Sequence, residues 1–232
     1  MAMKARTLGV LKSWIVSLVA LGGLWCVLGT PNAQAIPFSL NQDGCTGGCG
    51  SGSTVFGTVD VVQGVDANHV NITVTLNPPS GFVASGAGES LEFNIVSNPA
   101  ITITNLTSGF VVGPAPATAS TFGTFEYSVD CGGAQIGHCG PGASVILPGP
   151  LSFTVATTAL GALSPTDFIA NAGGFFFASD IIGPSGKTGN VAALGSLASS
   201  TAVVPEPASL LLLASGLVGL GIWRRTRFSK QV

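Results

Sequence analysis

Short runs in which apolar and polar residues alternate dominate the middle of this 232-residue chain. From Val70 to Leu76, every second residue is apolar and the residues between them are Asn or Thr. Side chains of a β-strand point alternately to its two faces, so this pattern predicts strands with one buried face. Pro, Gly, Ser and Asn end the runs, as is typical of turns. Further strands are predicted at 55–62, 91–95, 101–104, 125–130, 151–157 and 174–182.

Strands with one apolar face need a second layer to cover that face. The runs predict about seven to nine strands, and no long amphipathic helix separates them, which excludes a parallel α/β fold. We therefore predict a mainly β domain over residues 36–196, folded as an antiparallel β-sandwich with Greek-key connections.

The N-terminal segment has the three parts of a secretory signal peptide. Lys4, Arg6 and Lys12 make its start basic, and residues 14–28 form an apolar stretch. The cleavage site follows at Ala33-Gln34-Ala35, where two small residues flank a variable one. We predict a signal peptide over residues 1–35, cleaved after Ala35.

The C-terminal segment combines three features in a fixed order. A Pro-Glu-Pro sequence comes first, an apolar stretch follows, and a basic cluster comes last. As a helix the apolar stretch would extend roughly 24 Å, so it spans a bilayer core of about 30 Å with snorkelling or thinning at its ends. Arginines directly after it fit the cytoplasmic side and act as a stop-transfer signal. The three parts are Pro205, Glu206 and Pro207; a transmembrane helix at 208–223; and Arg224, Arg225 and Arg227.

The tail begins with Val204-Pro205-Glu206-Pro207-Ala208-Ser209 and continues with the apolar segment and the arginines. In this order of parts it resembles the PEP-CTERM sorting signal of Gram-negative bacteria. The resemblance is confined to the tail. It implies that an exosortase, an integral membrane processing enzyme, recognises the chain and removes the tail near the Pro-Glu-Pro. It also implies inner-membrane anchoring before processing and then a place in the cell envelope or outside the cell, often beside exopolysaccharide. Residues 197–204 would form a linker that keeps the signal accessible.

Charge is distributed unevenly between the body and the two ends. Between residues 36 and 204, Lys187 is the only Lys or Arg, and nine Asp and Glu residues give a net charge of −8. A body with one basic residue cannot neutralise phosphates, so nucleic acid is excluded as a partner. The carboxylates are dispersed along the sequence and no EF-hand loop occurs, so we predict no metal site and no cofactor.

Four cysteines remain after removal of the signal peptide: Cys45, Cys49, Cys131 and Cys139. An even number in an exported chain predicts disulfides, because the periplasm is oxidising. Three pairings exist. Local pairs are easiest to close, whereas a long-range pair such as Cys45 with Cys131 would constrain the unfolded chain more. We favour the local pairs over both the long-range pairs and a zinc site that would also use His138.

No catalytic set emerges from the sequence, and we predict that the chain is not an enzyme. The histidines are His69 and His138 alone, and neither a G-x-S-x-G elbow nor a phosphate-binding loop occurs. Glu89 and Glu92 are close in sequence, but on a strand they would point to opposite faces and could not flank one glycosidic bond.

Two hypotheses on function follow. The first is a structural or adhesive component of an exopolysaccharide or biofilm matrix, suggested by the sorting tail and the acidic β body. The alternative is a β-sandwich that binds or hydrolyses polysaccharide. Its support is the run Phe175-Phe176-Phe177, which could stack on sugar rings if it is exposed.

The signal-peptide prediction can be tested at the new N-terminus. We expect mass spectrometry of the exported protein to find Ile36 as its first residue. Ala35→Phe should block cleavage, because the processing site accepts small side chains, and Ala35→Ser is the matched control that should still be cleaved. A mature protein that begins elsewhere would contradict the prediction.

Overall fold

A computed structural model of the chain describes residues 35–131, 139, 144–157 and 161–195. These residues form fifteen β-strands and one short 3₁₀ helix, η1 (Pro165–Asp167). The strands are β1 (Ala35–Leu40), β2 (Gln42–Asp43), β3 (Gly57–Gln63), β4 (His69–Leu76), β5 (Gly81–Phe82), β6 (Leu91–Ile95), β7 (Thr102–Thr104), β8 (Val111–Val112), β9 (Ala117–Ala119), β10 (Gly123–Phe125), β11 (Tyr127–Asp130), β12 (Leu151–Ala156), β13 (Phe168–Ile169), β14 (Phe177–Ile182) and β15 (Thr188–Ala193).

Five strands form the smaller sheet, in the order β1-β3-β4-β12-β7. All its neighbours are antiparallel, with Val74 of β4 opposite Val59 on one side and Leu151 on the other. The alternation seen in the sequence is present in β4, where Val70, Ile72 and the other apolar residues are buried. Their side chains form the inner face of this sheet.

Eight strands form the larger sheet, which is also antiparallel. Its main order is β2-β15-β14-β6-β11-β8, and the short strands β13 and β5 pair with β6 and β14. A separate ribbon of β9 and β10 pairs only with itself in the described part of the chain and contacts β6 and β14. The larger sheet therefore has its two faces covered at its centre.

Both sheets share one apolar core. Phe93 of β6 shows how they meet, because its ring lies 6.0 Å from the ring of Phe153 in the smaller sheet. The rings of Tyr127 and Phe168 lie 5.5 and 5.7 Å from the same ring. Two antiparallel sheets packed over a common core confirm the mainly β prediction. The Greek-key connections stay a prediction.

The predicted number of strands was wrong, since the described residues contain fifteen strands rather than seven to nine. Four of the strands have only two residues, too few for an alternating pattern to be detected. The single strand predicted at 125–130 is interrupted at Glu126. The backbone N–H of Glu126 donates to Asn94 Oδ1 at 2.8 Å, which separates β10 from β11.

The predicted terminal segments fall almost wholly outside the described residues. This applies to residues 1–34 of the signal peptide, to the linker 197–204 and to the tail 205–232. Ala35 is described, and it opens β1 opposite Val62. The described portion contains no helix with the length and apolar character needed to span a membrane.

Replacement of Phe93 tests the shared core. We expect Phe93→Ala to lower the free energy of unfolding by about 3–5 kcal/mol, because the substitution leaves a cavity among three aromatic rings. Val65→Ala is the control, since 98% of Val65 is exposed. Urea denaturation followed by circular dichroism measures both. Equal stability of the two variants would show that Phe93 does not hold the sheets together.

Candidate functional site

Several predicted site residues lie outside the described part of the chain. They are His138, Pro205, Glu206, Pro207, Arg224, Arg225 and Arg227. The four cysteines are described, and they form the two local disulfides, Cys45–Cys49 and Cys131–Cys139, with Cα atoms 5.4 and 5.3 Å apart.

Asp43 organises the first disulfide loop. Its Oδ2 accepts the backbone N–H groups of Cys49 at 2.8 Å and Gly50 at 3.1 Å, and its Oδ1 accepts that of Cys45 at 3.0 Å. The carboxylate and the two sulfur atoms lie within 4.8 Å of one another, a spacing that could hold a metal. Because the sulfurs are bonded to each other, they are not the thiolates that a zinc site needs.

The run Phe175-Phe176-Phe177 contributes to packing. Phe177 has no exposed surface, and its ring lies 4.8 Å from that of Phe38. Phe176 also contacts Phe38, at 5.2 Å, and Phe175 packs edge-on against Phe122 at 4.8 Å. The three rings therefore do not form an exposed platform on which a sugar could stack.

Four carboxyl groups converge on the face of the larger sheet that points away from the core. We call Glu89, Glu92, Asp130 and Asp180 the acidic cluster. Glu92 lies in β6, between Leu91 and Phe93, whose side chains enter the core. The residues opposite Glu92 on β11 and β14 lie two positions before Asp130 and Asp180. Because side chains two residues apart share a face, the register places all three carboxylates together.

One prediction about these residues was wrong. Glu89 lies in the loop before β6 rather than on a strand, so alternation does not separate it from Glu92. Instead its backbone N–H donates to Glu92 Oε1 at 3.2 Å. The carboxylates are dispersed in the sequence, yet four of the nine in the body meet in space. Only the pairing of the strands reveals this cluster.

The loop of residues 83–90 covers the acidic cluster and is fixed by hydrogen bonds. Ser85 donates through its backbone N–H and its hydroxyl to the two carboxylate oxygens of Asp180, both at 2.7 Å. The backbone N–H of Asp180 donates to Glu89 O at 2.8 Å. Ala87 O accepts from the Asn190 side chain at 2.9 Å and from Ser120 N at 2.7 Å. The cluster thus lies beneath an anchored cover.

Asn190 and Glu92 converge beside Gly88. A Cβ atom at Gly88 would lie 2.7 Å from Asn190 Nδ2, 2.9 Å from Asn190 Oδ1 and 3.0 Å from Glu92 Oε1, so a larger residue there would collide with these side chains. Both side chains are fully buried. Asn190 Oδ1 and Glu92 Oε2 have no hydrogen-bond partner. Buried polar atoms without partners are uncommon in native proteins and point to an absent ligand or water.

Burial dominates the electrostatics of the acidic cluster. It raises the pKa of Glu92 to about 8, and the charges of Glu89 and Asp180 add to that effect. Burial and the neighbouring Asp130 raise the pKa of Glu89 to about 7. Burial raises the pKa of Asp180 to about 6, although the hydrogen bonds from Ser85 oppose it. Lys187, the only Lys or Arg among the described residues, forms no ion pair with Glu92 or Asp180.

This arrangement can hold protons, but it does not suit glycoside hydrolysis. A glycosidase places its two carboxyl groups on either side of a bound sugar. Glu92 and Asp180 have no exposed surface, so a polysaccharide cannot reach them. His69 lies elsewhere, at the start of β4, where it contacts Asp66.

The raised pKa values predict that stability falls as pH rises. Between about pH 4.5 and pH 8, folded Glu92 keeps a proton that the unfolded chain has released, so stability falls as pH rises across this interval and levels off above it. Each pKa unit corresponds to about 1.4 kcal/mol, so we expect Glu92 alone to cost several kcal/mol across this interval. Urea denaturation between about pH 5 and pH 9, without divalent cations, measures the slope.

Glu92→Gln should flatten this dependence, because the amide does not ionise. Asp66→Asn is the control, since hydrogen bonding lowers the pKa of Asp66 and the group is ionised in both states across the interval. An equally steep slope in Glu92→Gln and in the unmodified protein would rule out Glu92 as its source.

The C-terminal tail matches a known family. Residues 203–225 match the model of the PEP-CTERM protein-sorting motif, which confirms the resemblance inferred from the sequence and its restriction to the tail. No curated protein and no solved structure matches the chain. The chain thus carries a PEP-CTERM sorting motif after its β body. This motif is the signal of an exported protein that an exosortase processes.

Proposed function

We propose that this protein is a structural or adhesive component of an exopolysaccharide or biofilm matrix, delivered there by exosortase-dependent sorting. The observation that carries the proposal is the PEP-CTERM motif at residues 203–225. In this proposal the signal peptide 1–35 exports the chain, and the helix at 208–223 anchors it in the inner membrane. Exosortase then removes the tail near Pro205-Glu206-Pro207.

Features of the body support a stable module outside the cytoplasm. Disulfides close two loops, and such bonds persist in oxidising compartments. Two sheets share a core rich in phenylalanine. A net charge of −8 favours solubility in a hydrated matrix through self-repulsion. The proposed role is non-enzymatic, in keeping with the burial of Glu92 and Asp180 beneath the loop 83–90.

The alternative, binding or hydrolysis of polysaccharide, has less support. Its aromatic argument fails because the Phe175–Phe177 rings pack against other rings. A groove lined by Ile101, Ile103 and Val112 also carries the hydroxyls of Tyr127 and Ser128. The Tyr127 hydroxyl already donates to oxygens of Asn98 and Pro99. The Ser128 hydroxyl already donates to the carbonyl oxygen of Pro114. We therefore prefer the structural role.

Deletion of the gene in the native host tests the proposed role. We expect the strain to form less floc or biofilm, and the unmodified gene should restore it. A gene carrying Glu206→Ala should not restore it, because the altered motif would leave the chain unprocessed in the membrane fraction. Asp66→Ala, an exposed acid in the body, is the matched control and should restore the phenotype.

Two results would count against the proposal in different ways. Normal floc formation in the deletion strain would refute the matrix role. Normal processing of Glu206→Ala, judged by its size and by its release from membranes, would refute dependence on the sorting motif.

A further inference from the structure

We propose that the loop 83–90 is a pH-sensitive cover over the acidic cluster, held closed at Glu89 by a proton shared with Asp130 and released when that proton is lost. The cover is a property of the β body and does not depend on the matrix role. Three observations on the described residues carry the proposal: a hydrogen bond between two carboxyl groups, the acidic surroundings of Glu89, and the different chemistry of the two ends of the loop.

The first observation is the contact between Glu89, in the loop, and Asp130, at the end of β11. Their side chains are hydrogen-bonded to each other. An ionised carboxylate can only accept hydrogen bonds, so two carboxyl groups form such a bond only if one of them carries a proton. This bond therefore joins the loop to the larger sheet only while the proton is present.

The second observation is that the described titratable groups facing Glu89 are acidic. They are Glu92 of β6, Asp130 of β11 and Asp180 of β14, and the charges of Asp130 and Asp180 favour the protonated form of Glu89. Strands β9 and β15, which also border the loop, carry no titratable side chain. Lys187 is not among the groups that act on Glu89. Loss of the proton thus replaces an attraction between Glu89 and Asp130 with a repulsion.

The third observation is that the two ends of the loop depend on pH in opposite ways. At one end, the backbone N–H and the hydroxyl of Ser85 donate to both carboxylate oxygens of Asp180, each at 2.7 Å. Hydrogen bonds to an ionised carboxylate are stronger than those to a neutral group, so a rise in pH preserves this end. At the other end, the same rise removes the bond between Glu89 and Asp130. Opening is therefore expected at Glu89, while Ser85 stays attached.

Opening at Glu89 would release two backbone N–H groups that can be observed directly. The N–H of Asp180 donates to Glu89 O at 2.8 Å, and the N–H of Glu89 donates to Glu92 Oε1 at 3.2 Å. Both bonds cross between the loop and the sheet. The N–H of Ser85 belongs to the end that stays attached, so the three amides together distinguish opening at Glu89 from loss of the whole loop.

The direction of the pH effect follows from the environment of Glu89. Burial and Asp130 raise its pKa to about 7 from the ordinary value of 4.5. Between these values the closed loop keeps a proton that the open loop releases, so opening becomes more favourable as pH rises and levels off above about pH 7. One pKa unit corresponds to a factor of ten, and solvent weakens the effect at a half-exposed group. We expect opening to become at least about tenfold more favourable.

Hydrogen exchange of the full-length chain, purified in detergent, tests the cover between about pH 5 and pH 8. We expect the protection of the Glu89 and Asp180 amides, corrected for the chemical exchange rate at each pH, to fall at least about tenfold. The Ser85 amide should lose much less protection. Amides of β4, in the other sheet, report global unfolding, and their protection is measured in the same experiment.

Two variants test the shared proton from opposite sides. In Glu89→Gln the amide can donate to the Asp130 carboxylate without a titrating proton, and in Asp130→Asn it can donate to Glu89. Each should keep the cover protected at pH 8. Glu92→Gln is the control within the cluster, because Glu92 is not among the groups that act on Glu89, and it should retain the tenfold fall. Asp66→Asn, an exposed acid far along the chain, should also retain it.

Two outcomes would contradict the proposal. Equal protection of the Glu89 and Asp180 amides at pH 5 and pH 8 would overturn it, because the Glu89 side chain would then turn to solvent while the loop stays closed. A fall that persists in Glu89→Gln would overturn the assignment to the shared proton. If Glu89→Gln does not fold, Asp130→Asn decides in the same way.

Discussion

The rest of the structure depends on the burial of β6 on both faces. All five of its residues are buried. On one side, Leu91, Phe93 and Ile95 enter the core shared by the two sheets. On the other side, Glu92 and Asn94 lie under covering segments, and Asn94 accepts a hydrogen bond that ends β10. A central strand that secures the core therefore also carries a carboxylate into the interior.

This position creates a conflict between packing and electrostatics. Displacing β6 to expose Glu92 would disrupt the contacts of Phe93 with Phe153 and Phe168, so the carboxyl group has to remain buried. Burial favours its neutral form, which explains the raised pKa. The protein resolves the conflict by keeping a proton on Glu92 up to about pH 8.

The sequence predicted those features that depend on neighbouring residues. The strand at 91–95 was located correctly, the alternation of β4 was correct, and both disulfides join cysteines close in sequence. The tail was identified because its three parts are contiguous. The acidic cluster could not be predicted in this way, since Asp130 and Asp180 reach Glu92 only through the register of three strands. A polar residue between Leu91 and Phe93 also looks like an ordinary exposed position unless the loop that covers it is known.

The sorting tail and the two disulfides are connected through the compartment in which the body resides. Disulfides form and persist where the surroundings are oxidising. A chain retained in the cytoplasm would not meet this condition. Export therefore also brings the body into oxidising surroundings, in which the Cys45–Cys49 disulfide beside Asp43 can form.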